Sequence, residues 1–366
     1  MTLSTRKATL GGLAVFGVVT LLAACAPAPT DAGGTDAAAN DFLPCIVSDF
    51  GGFDDKSFNQ SSFEGIAAAA QEIGVDFNQA ESAAEDQYAS NVDSMVNQGC
   101  SFILTVGFAL ANATRDAAQT HTETEFAIID SALSNDDFTP LELPNVKPVL
   151  YDTAQAAFLA GYLAAGTSTT GVVATYGGLQ FPSVTIFMDG FADGIDYYND
   201  AKGTDVQLLG WDKATQTGVF AGSFDDIAAG KTLSDGFINQ NADIILPVAG
   251  PLFQGTAQAI NDSGRDVAII GVDSDLFETT PEFAELYLTS VMKQMTDATQ
   301  QIIVDAEAGD FSSDPYVGTL ENEGVLLAPL HDWESKVDPT IMTEIDDIKA
   351  QIIDGSLVVT SDATPQ

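Results

Sequence analysis

The sequence predicts an α/β protein made of two doubly wound, parallel-sheet lobes. Two observations carry this reading. Short, nearly continuous apolar runs alternate with segments of helical spacing, and the whole series restarts near the middle of the chain. Apolar runs joined by helices are strands buried on both faces, which is the pattern of a parallel sheet covered by helices. At 366 residues and 45% apolar side chains, the chain is long and apolar enough for two such cores.

The chain opens with an address rather than a fold. Arg6 and Lys7 precede an uncharged, largely apolar run over 10–22, too short to span a bilayer comfortably and of the length of a signal-peptide core. It ends in Leu22-Ala23-Ala24-Cys25, which resembles a bacterial lipobox, where the Cys thiol is acylated and becomes the new N-terminus. The alternative is a plain secretory signal with an incidental Cys. Residues 26–41 contain no large apolar side chain and read as a tether. The expectation is a lipoprotein signal over 1–24, a tether over 25–41, and a globule held at the outer face of the cell membrane by acylated (palmitoylated) Cys25.

The first series of elements then begins. Residues 45–48 read as a strand and 57–71 as a helix, with Phe58, Ile66 and the block Ala67–Ala70 on its apolar side. A capping box is expected from Ser57 and Gln60, or from Ser61 and Glu64 one turn later. Strands are expected at 75–77, 102–106, 126–129 and 149–151, and helices at 87–97, 110–119 and 154–165. The second series places strands at 172–176, 206–211, 244–248 and 267–272, with helices at 184–198, 226–239 and 253–261. The tail is less regular, with a strand at 288–292, a helix at 295–307, an apolar run at 325–327 and a helix near 339–353.

Cys45 opens one expected strand and Cys100 immediately precedes another. Adjacent parallel strands would bring both thiols to one edge of the sheet, and outside the cytoplasm such a pair forms a disulfide. Two buried free thiols are the alternative. With only His121 and His331 in the chain, and neither near a Cys, no metal site is expected.

Charge excludes one class of partner. The chain has 53 Asp+Glu against 12 Lys+Arg, a formal charge of −41. Nucleic-acid binding needs basic stripes that displace phosphate counterions, so it is set aside. In doubly wound folds ligands sit beyond the carboxyl ends of the strands. The residues directly following the expected strands are Asp49, Gly107, Asp130, Asp152, Gly177, Gly250 and Asp273. Each Asp alone fits a turn or cap. Together they suit a cleft for a neutral, hydroxyl-rich ligand, since a carboxylate is a double acceptor.

The stretch from Ser48-Asp49-Phe50-Gly51-Gly52-Phe53-Asp54-Asp55 through Lys56-Ser57-Phe58-Asn59-Gln60-Ser61 resembles the opening motif of the basic membrane protein family. These are lipoprotein substrate-binding components of ABC transporters, typified by the purine nucleoside receptor. Further blocks agree in family order: Gly177-Gly178, Met188-Asp189-Gly190-Phe191, Gly222-Ser223-Phe224-Asp225-Asp226, Leu246-Pro247-Val248-Ala249-Gly250, Gly271-Val272-Asp273-Ser274-Asp275 and Leu288–Lys293. The resemblance covers nearly all of 45–355.

It implies the periplasmic-binding type I fold, two lobes closing on a ligand about a hinge. The lobes are then expected at 42–152 plus 294–310 and at 153–293 plus 311–366. It also implies a monomer without cofactor that hands purine nucleosides to a permease. Carried onto this chain, Phe58 becomes one stacking ring, and Asp49 and Asn59 bond the base edge. Asp273 and Lys293 take the ribose hydroxyls, Gly250 admits close backbone approach, and Asp130 is a further contact. For the second ring Phe253 stands first, ahead of Phe181 and Phe224. Carboxylates without an arginine cluster would repel a nucleotide's phosphate, so nucleosides are favoured over nucleotides.

Enzyme readings find little. Ala229-Gly230-Lys231-Thr232 resembles the end of a phosphate-binding loop, but the first glycine of that pattern falls on Asp225. No Gly-x-Ser-x-Gly elbow is present. A nucleoside hydrolase would need a denser acidic cluster than Asp49, Asp54 and Asp55 provide. The remaining alternative is a sensor or receptor for another small polar molecule on the same fold.

Overall fold

The computed structural model describes residues 41–365. The expected signal segment, Cys25 and all but the last residue of the tether lie outside the described residues.

Helices and strands alternate from the start, in the order β1 (Pro44–Ser48), α1 (Phe58–Ile73), β2 (Asn78–Ala80), α2 (Tyr88–Asn97), β3 (Phe102–Val106), α3 (Ala111–Thr120), β4 (Glu125–Ile129) and β5 (Val146–Tyr151). The series restarts with α4 (Thr153–Thr167), β6 (Val172–Gly177), α5 (Pro182–Lys202) and β7 (Gln207–Leu209), then a small hairpin of β8 (Trp211–Asp212) and β9 (Thr217–Gly218). It continues through α6 (Ile227–Asn239), β10 (Ile244–Val248), α7 (Phe253–Ser263), β11 (Ala268–Asp273), α8 (Leu276–Thr279) and β12 (Tyr287–Lys293). The tail adds α9 (Met295–Glu307), β13 (Tyr316–Gly318), β14 (Val325–Leu327) and α10 (Pro339–Ile353).

The strands form two six-stranded sheets, β13-β5-β4-β3-β1-β2 and β14-β12-β11-β10-β6-β7. Every pairing in the first is parallel, and in the second only β12–β14 is antiparallel. The central strands β1, β3, β10 and β11 are buried at every position. Helices on both faces of a parallel sheet produce that burial, which is why these strands read as unbroken apolar runs.

The chain passes between the lobes three times, after β5, after β12 and after β13. Helix α9 follows a strand of the second sheet yet rests on α1 of the first lobe, where Thr296 donates to the Ser61 carbonyl at 2.9 Å. The third passage differs from expectation. Residues 311–366 were expected wholly in the second lobe, but β13 pairs with β5 in the first sheet, Tyr316 opposite Val149. Three residues at a sheet edge carry no readable periodicity, and only the pairing with β5 defines them as a strand.

Two smaller differences have the same origin. The strand expected at 75–77 forms three residues later, at Asn78–Ala80, because an edge strand need not be apolar. Helix α1 is capped by neither expected box. Asp55 takes that role, accepting the backbone N–H groups of Ser57 (3.0 Å), Asn59 (2.9 Å) and Gln60 (3.1 Å). Cys45, in β1, and Cys100, two residues before β3, are joined by a disulfide with Cα atoms 6.0 Å apart.

Candidate functional site

Five of the seven expected strand-end residues, Asp49, Gly107, Asp130, Gly250 and Asp273, line one interlobe cleft, which lies at the carboxyl ends of the parallel strands. The cleft encloses about 560 Å³, part of it open to solvent. Its first-lobe wall comes from Asp49 and Phe50 after β1, Asp55, Phe58 and Asn59 at the head of α1, Gly107 and Phe108 after β3, and Asp130 after β4. The second-lobe wall comes from Phe181, Ser183, Val184 and Phe187 around the head of α5, Phe224, Val248–Pro251 after β10, Val272 and Asp273 ending β11, and Lys293 ending β12. Seven of the eight residues expected at the site are therefore brought together: Asp49, Phe58, Asn59, Asp130, Gly250, Asp273 and Lys293.

Phe253 is the exception. It starts α7 but is 2% exposed in the second-lobe core, with its ring edge-on to Tyr287. Its position just past Gly250 placed it near the cleft, but the helix it begins turns that side chain inward. Phe181 and Phe224 occupy the second-lobe wall instead, with ring centroids 6.0 Å apart. Phe181 also meets Phe108 of the first lobe at 5.0 Å. Phe224 sits so close to Gly178 that a Cβ at that glycine would fall 2.3 Å from its ring. Asp152, also a strand-end residue, lies at the first lobe crossing and accepts from Gln155 at 2.8 Å rather than lining the cleft.

A chain of polar contacts organises the floor. Asn59 Nδ2 donates to Asp49 Oδ1 (3.1 Å) and to the Phe50 carbonyl (2.9 Å). Its Oδ1 is buried without a hydrogen-bond partner among the described residues. Gly107 backs Asp49 so closely that a Cβ there would lie 1.9 Å from Asp49 Oδ2, so only glycine fits at this strand end. Ser57 Oγ donates across the lobes to the Val272 carbonyl at 3.1 Å and to Asp273 Oδ2 at 3.3 Å. Lys293 Nζ lies 2.5 Å from Asp130 Oδ2 and 3.3 Å from Asp273 Oδ1, and close to the rings of Phe187 (5.0 Å) and Phe58 (5.1 Å). Asp130 and Asp273 both adopt positive φ, +62° and +71°, a region that costs a non-glycine residue and concentrates at functional sites.

Four carboxyl groups share the cleft with one ammonium. Burial pushes Asp49 well above the usual carboxylate range, with Asp55 and Asp130 adding to the rise and the Asn59 amide opposing it. Burial also raises Asp55, against the backbone N–H groups it accepts. Asp130 is raised by burial more than Lys293 lowers it. For Lys293, burial alone would lower the ammonium, but Asp130 and Asp273 outweigh it and hold it above its ordinary value. The site thus offers a charged lysine, flat apolar faces from both lobes, and carboxyl groups able to bond hydroxyls and ring N–H donors. Phe50, Asp55, Phe108 and Phe187 also line the cleft and are residues to which the sequence assigns no site role, whereas Phe181 is one of the two lesser candidates for the second ring. Phe108 carried a usable signal, directly after Gly107, whereas Phe187 lies in a helix buried along most of its length.

Residues 44–353 match the family model described as "ABC transporter substrate-binding protein PnrA-like". A protein of Lactococcus lactis named "ABC transporter nucleoside-binding protein BmpA" is 28% identical, over 94% of this chain and 95% of its own. "Basic membrane protein A" of Borreliella burgdorferi is 27% identical, over 85% of this chain and 86% of its own. A solute-binding protein of an ABC transporter system from Aeropyrum pernix superposes with a TM-score of 0.78 at 23% identity, covering 89% of this chain and 94% of that one, which establishes the shared type I periplasmic-binding fold. The chain belongs to the Bmp family of ABC transporter substrate-binding proteins, which are binding proteins rather than enzymes.

Proposed function

We propose that this substrate-binding protein captures purine nucleosides between its lobes and, anchored through a lipid on Cys25, delivers them to the membrane permease of its transporter. The observation that carries the reading is the composition of the cleft, with flat rings facing in from both lobes and, at its floor, Lys293 held between Asp130 and Asp273. A nucleoside is half π-surface and half hydroxyls, and these are the two surfaces offered. In this reading the base stacks between Phe58 and Phe224, and its edge bonds Asp49 and the free Oδ1 of Asn59. Phe224 is preferred to Phe181 because Phe181 already spends a face on Phe108. The ribose hydroxyls bond Asp273, Asp130 and Lys293, and Gly250, at φ +51° with open space before it, lets the backbone approach. Base–aromatic stacking is worth about 1–3 kcal/mol. Ligand contacts from both lobes favour the closed form through differential affinity.

The test is calorimetry on residues 42–366 with adenosine, guanosine, inosine, their free bases, their monophosphates and ribose. Binding of nucleosides with little affinity for monophosphates supports the reading. Binding of sugars alone removes the stacking role of the rings and leaves a receptor for another small polar molecule.

A further inference from the structure

Between Asp130 and β5 the first lobe projects a small hairpin whose tip is one exposed aromatic ring. Its legs are tied by the Ser134–Pro140 bridge, with the Leu141 amide donating to the Leu133 carbonyl at 3.0 Å. At the tip, the Asn135 amide donates to the Thr139 carbonyl at 2.9 Å and the Phe138 amide to the Asn135 carbonyl at 2.9 Å. Arg115, one of only 12 basic residues in the chain, braces the turn through Ser134 O at 3.2 Å and Asp136 Oδ1 at 2.9 Å. Phe138 is 89% exposed, more than any other large apolar side chain among the described residues.

Its backbone has φ +62°, a region an aromatic residue avoids unless its surroundings impose it. The hairpin bonds do impose it, and they hold the ring outward rather than folding it onto the lobe. Single exposed apolar residues are ordinary on protein surfaces. A braced, conformationally strained one at a loop tip is not what solubility alone would produce. The hairpin also springs from the strand end that delivers Asp130 to Lys293, so it moves with the first lobe's half of the cleft.

We propose that Phe138 is a docking anchor that inserts into an apolar socket, rimmed by basic side chains, on the extracytoplasmic face of the transporter's membrane-spanning subunit. The flanking Asp136, whose side chain is 93% exposed, and Asp137 set the charge of that rim. A second copy of this chain fits poorly, because the chain carries −41 and the tip itself is acidic. An anionic lipid surface is disfavoured for the same reason. An exposed aromatic entering a desolvated pocket is the usual form of an interface hot spot. The proposal rests on the transport reading above for the identity of the partner.

Two experiments decide it, and they separate its failure from that of the nucleoside reading. A photo-crosslinking phenylalanine analogue at position 138 of the full chain, in cells bearing the transporter, should give an adduct identified by mass spectrometry as the polytopic subunit of an ABC transporter. No adduct, or one with lipid or with a second copy alone, overturns the docking role whatever the ligand is. Replacing Phe138→Ser should leave ligand affinity within twofold by calorimetry while uptake by cells falls tenfold or more, with Phe138→Tyr restoring it. Unchanged uptake also overturns the proposal. A chain that binds no nucleoside, yet crosslinks to the subunit, discards the nucleoside reading and keeps the anchor.

Discussion

Lys293 Nζ lies 2.5 Å from Asp130 Oδ2, so the last residue of a second-lobe strand is ion-paired to the residue after a first-lobe strand. Both side chains are under 10% exposed, and Asp273 approaches the same ammonium at 3.3 Å. A single cation at the floor of the cleft thus pairs with a carboxylate of each lobe, beside the Ser57 bonds that also cross there and beneath the rings that would hold a ligand. The alternation of acidic strand ends noted in the sequence becomes a charge arrangement only through this residue.

Removing that cation leaves two buried carboxyl groups without a cationic partner, Asp273 keeping only the Ser57 hydroxyl. Lys293→Met should lower stability by about 3 kcal/mol, the scale for breaking a buried pair from one side. It should also weaken nucleoside binding by tenfold or more, through loss of a charge-assisted bond worth about 1.5–3 kcal/mol. Adding Asp130→Asn should recover part of the stability. Urea denaturation and calorimetry on the three variants check this, and full stability in Lys293→Met would show that the pair holds nothing together.

The two phenylalanines flanking the question of stacking should behave oppositely. Phe58→Ala should cost binding about 1–3 kcal/mol, tenfold or more, with a modest effect on folding. Phe253→Ala should destabilise the protein by about 3–5 kcal/mol by opening a cavity in the second-lobe core. Where it remains folded, its affinity should be close to that of the unaltered protein. An affinity loss in Phe253→Ala matching that of Phe58→Ala would return Phe253 to the site.

Asp49 should make stability depend on pH in a definite direction. Its unfolded pKa is near the ordinary 3.8 and its folded pKa is raised by burial, so between the two the folded chain keeps a proton that the unfolded chain has lost. Its contribution is complete below the unfolded value and is lost as pH rises through the folded one. Asp49→Asn cannot titrate and retains an oxygen for Asn59 Nδ2. The Tm of Asp49→Asn minus that of the unaltered protein should therefore grow as pH is raised from about 4 to 8. A difference constant with pH would mean that Asp49 titrates normally.

The disulfide closes a sequence separation of 55 residues. By loop entropy it should stabilise the first lobe by about 4 kcal/mol, and Cys45→Ser with Cys100→Ser should lose most of that. Non-reducing mass spectrometry on the unaltered protein should find no free thiol at either position.

Sequence reading reached far where the signal was local. The buried strands of both sheets announced themselves as apolar runs, and Asp49, Asp130 and Asp273 stand out because each follows such a run, whereas Lys293 came with the family resemblance. It failed where neighbours decide. Asp55 took the cap of α1 from Ser57, whose hydroxyl is drawn instead across the cleft to Val272 and Asp273, residues more than two hundred positions away. Residues Tyr316–Gly318 became a first-sheet strand because β5 offered an open edge.

What the chain determined by itself was the two-lobed α/β plan, the likeness to a nucleoside-receptor family, and which strand ends carry acids, since periodicity and spacing are properties of neighbours in sequence. Which ring faces the cleft and which is buried was decided only by the tertiary structure. Phe253 and Phe224 are equally apolar and equally close to glycine-containing turns, and nothing local separates them. The direction in which a helix start turns its first side chain depends on the sheet beneath it, and the α7 start turns Phe253 onto Tyr287 while Phe224 stays beside Gly178 at the cavity wall.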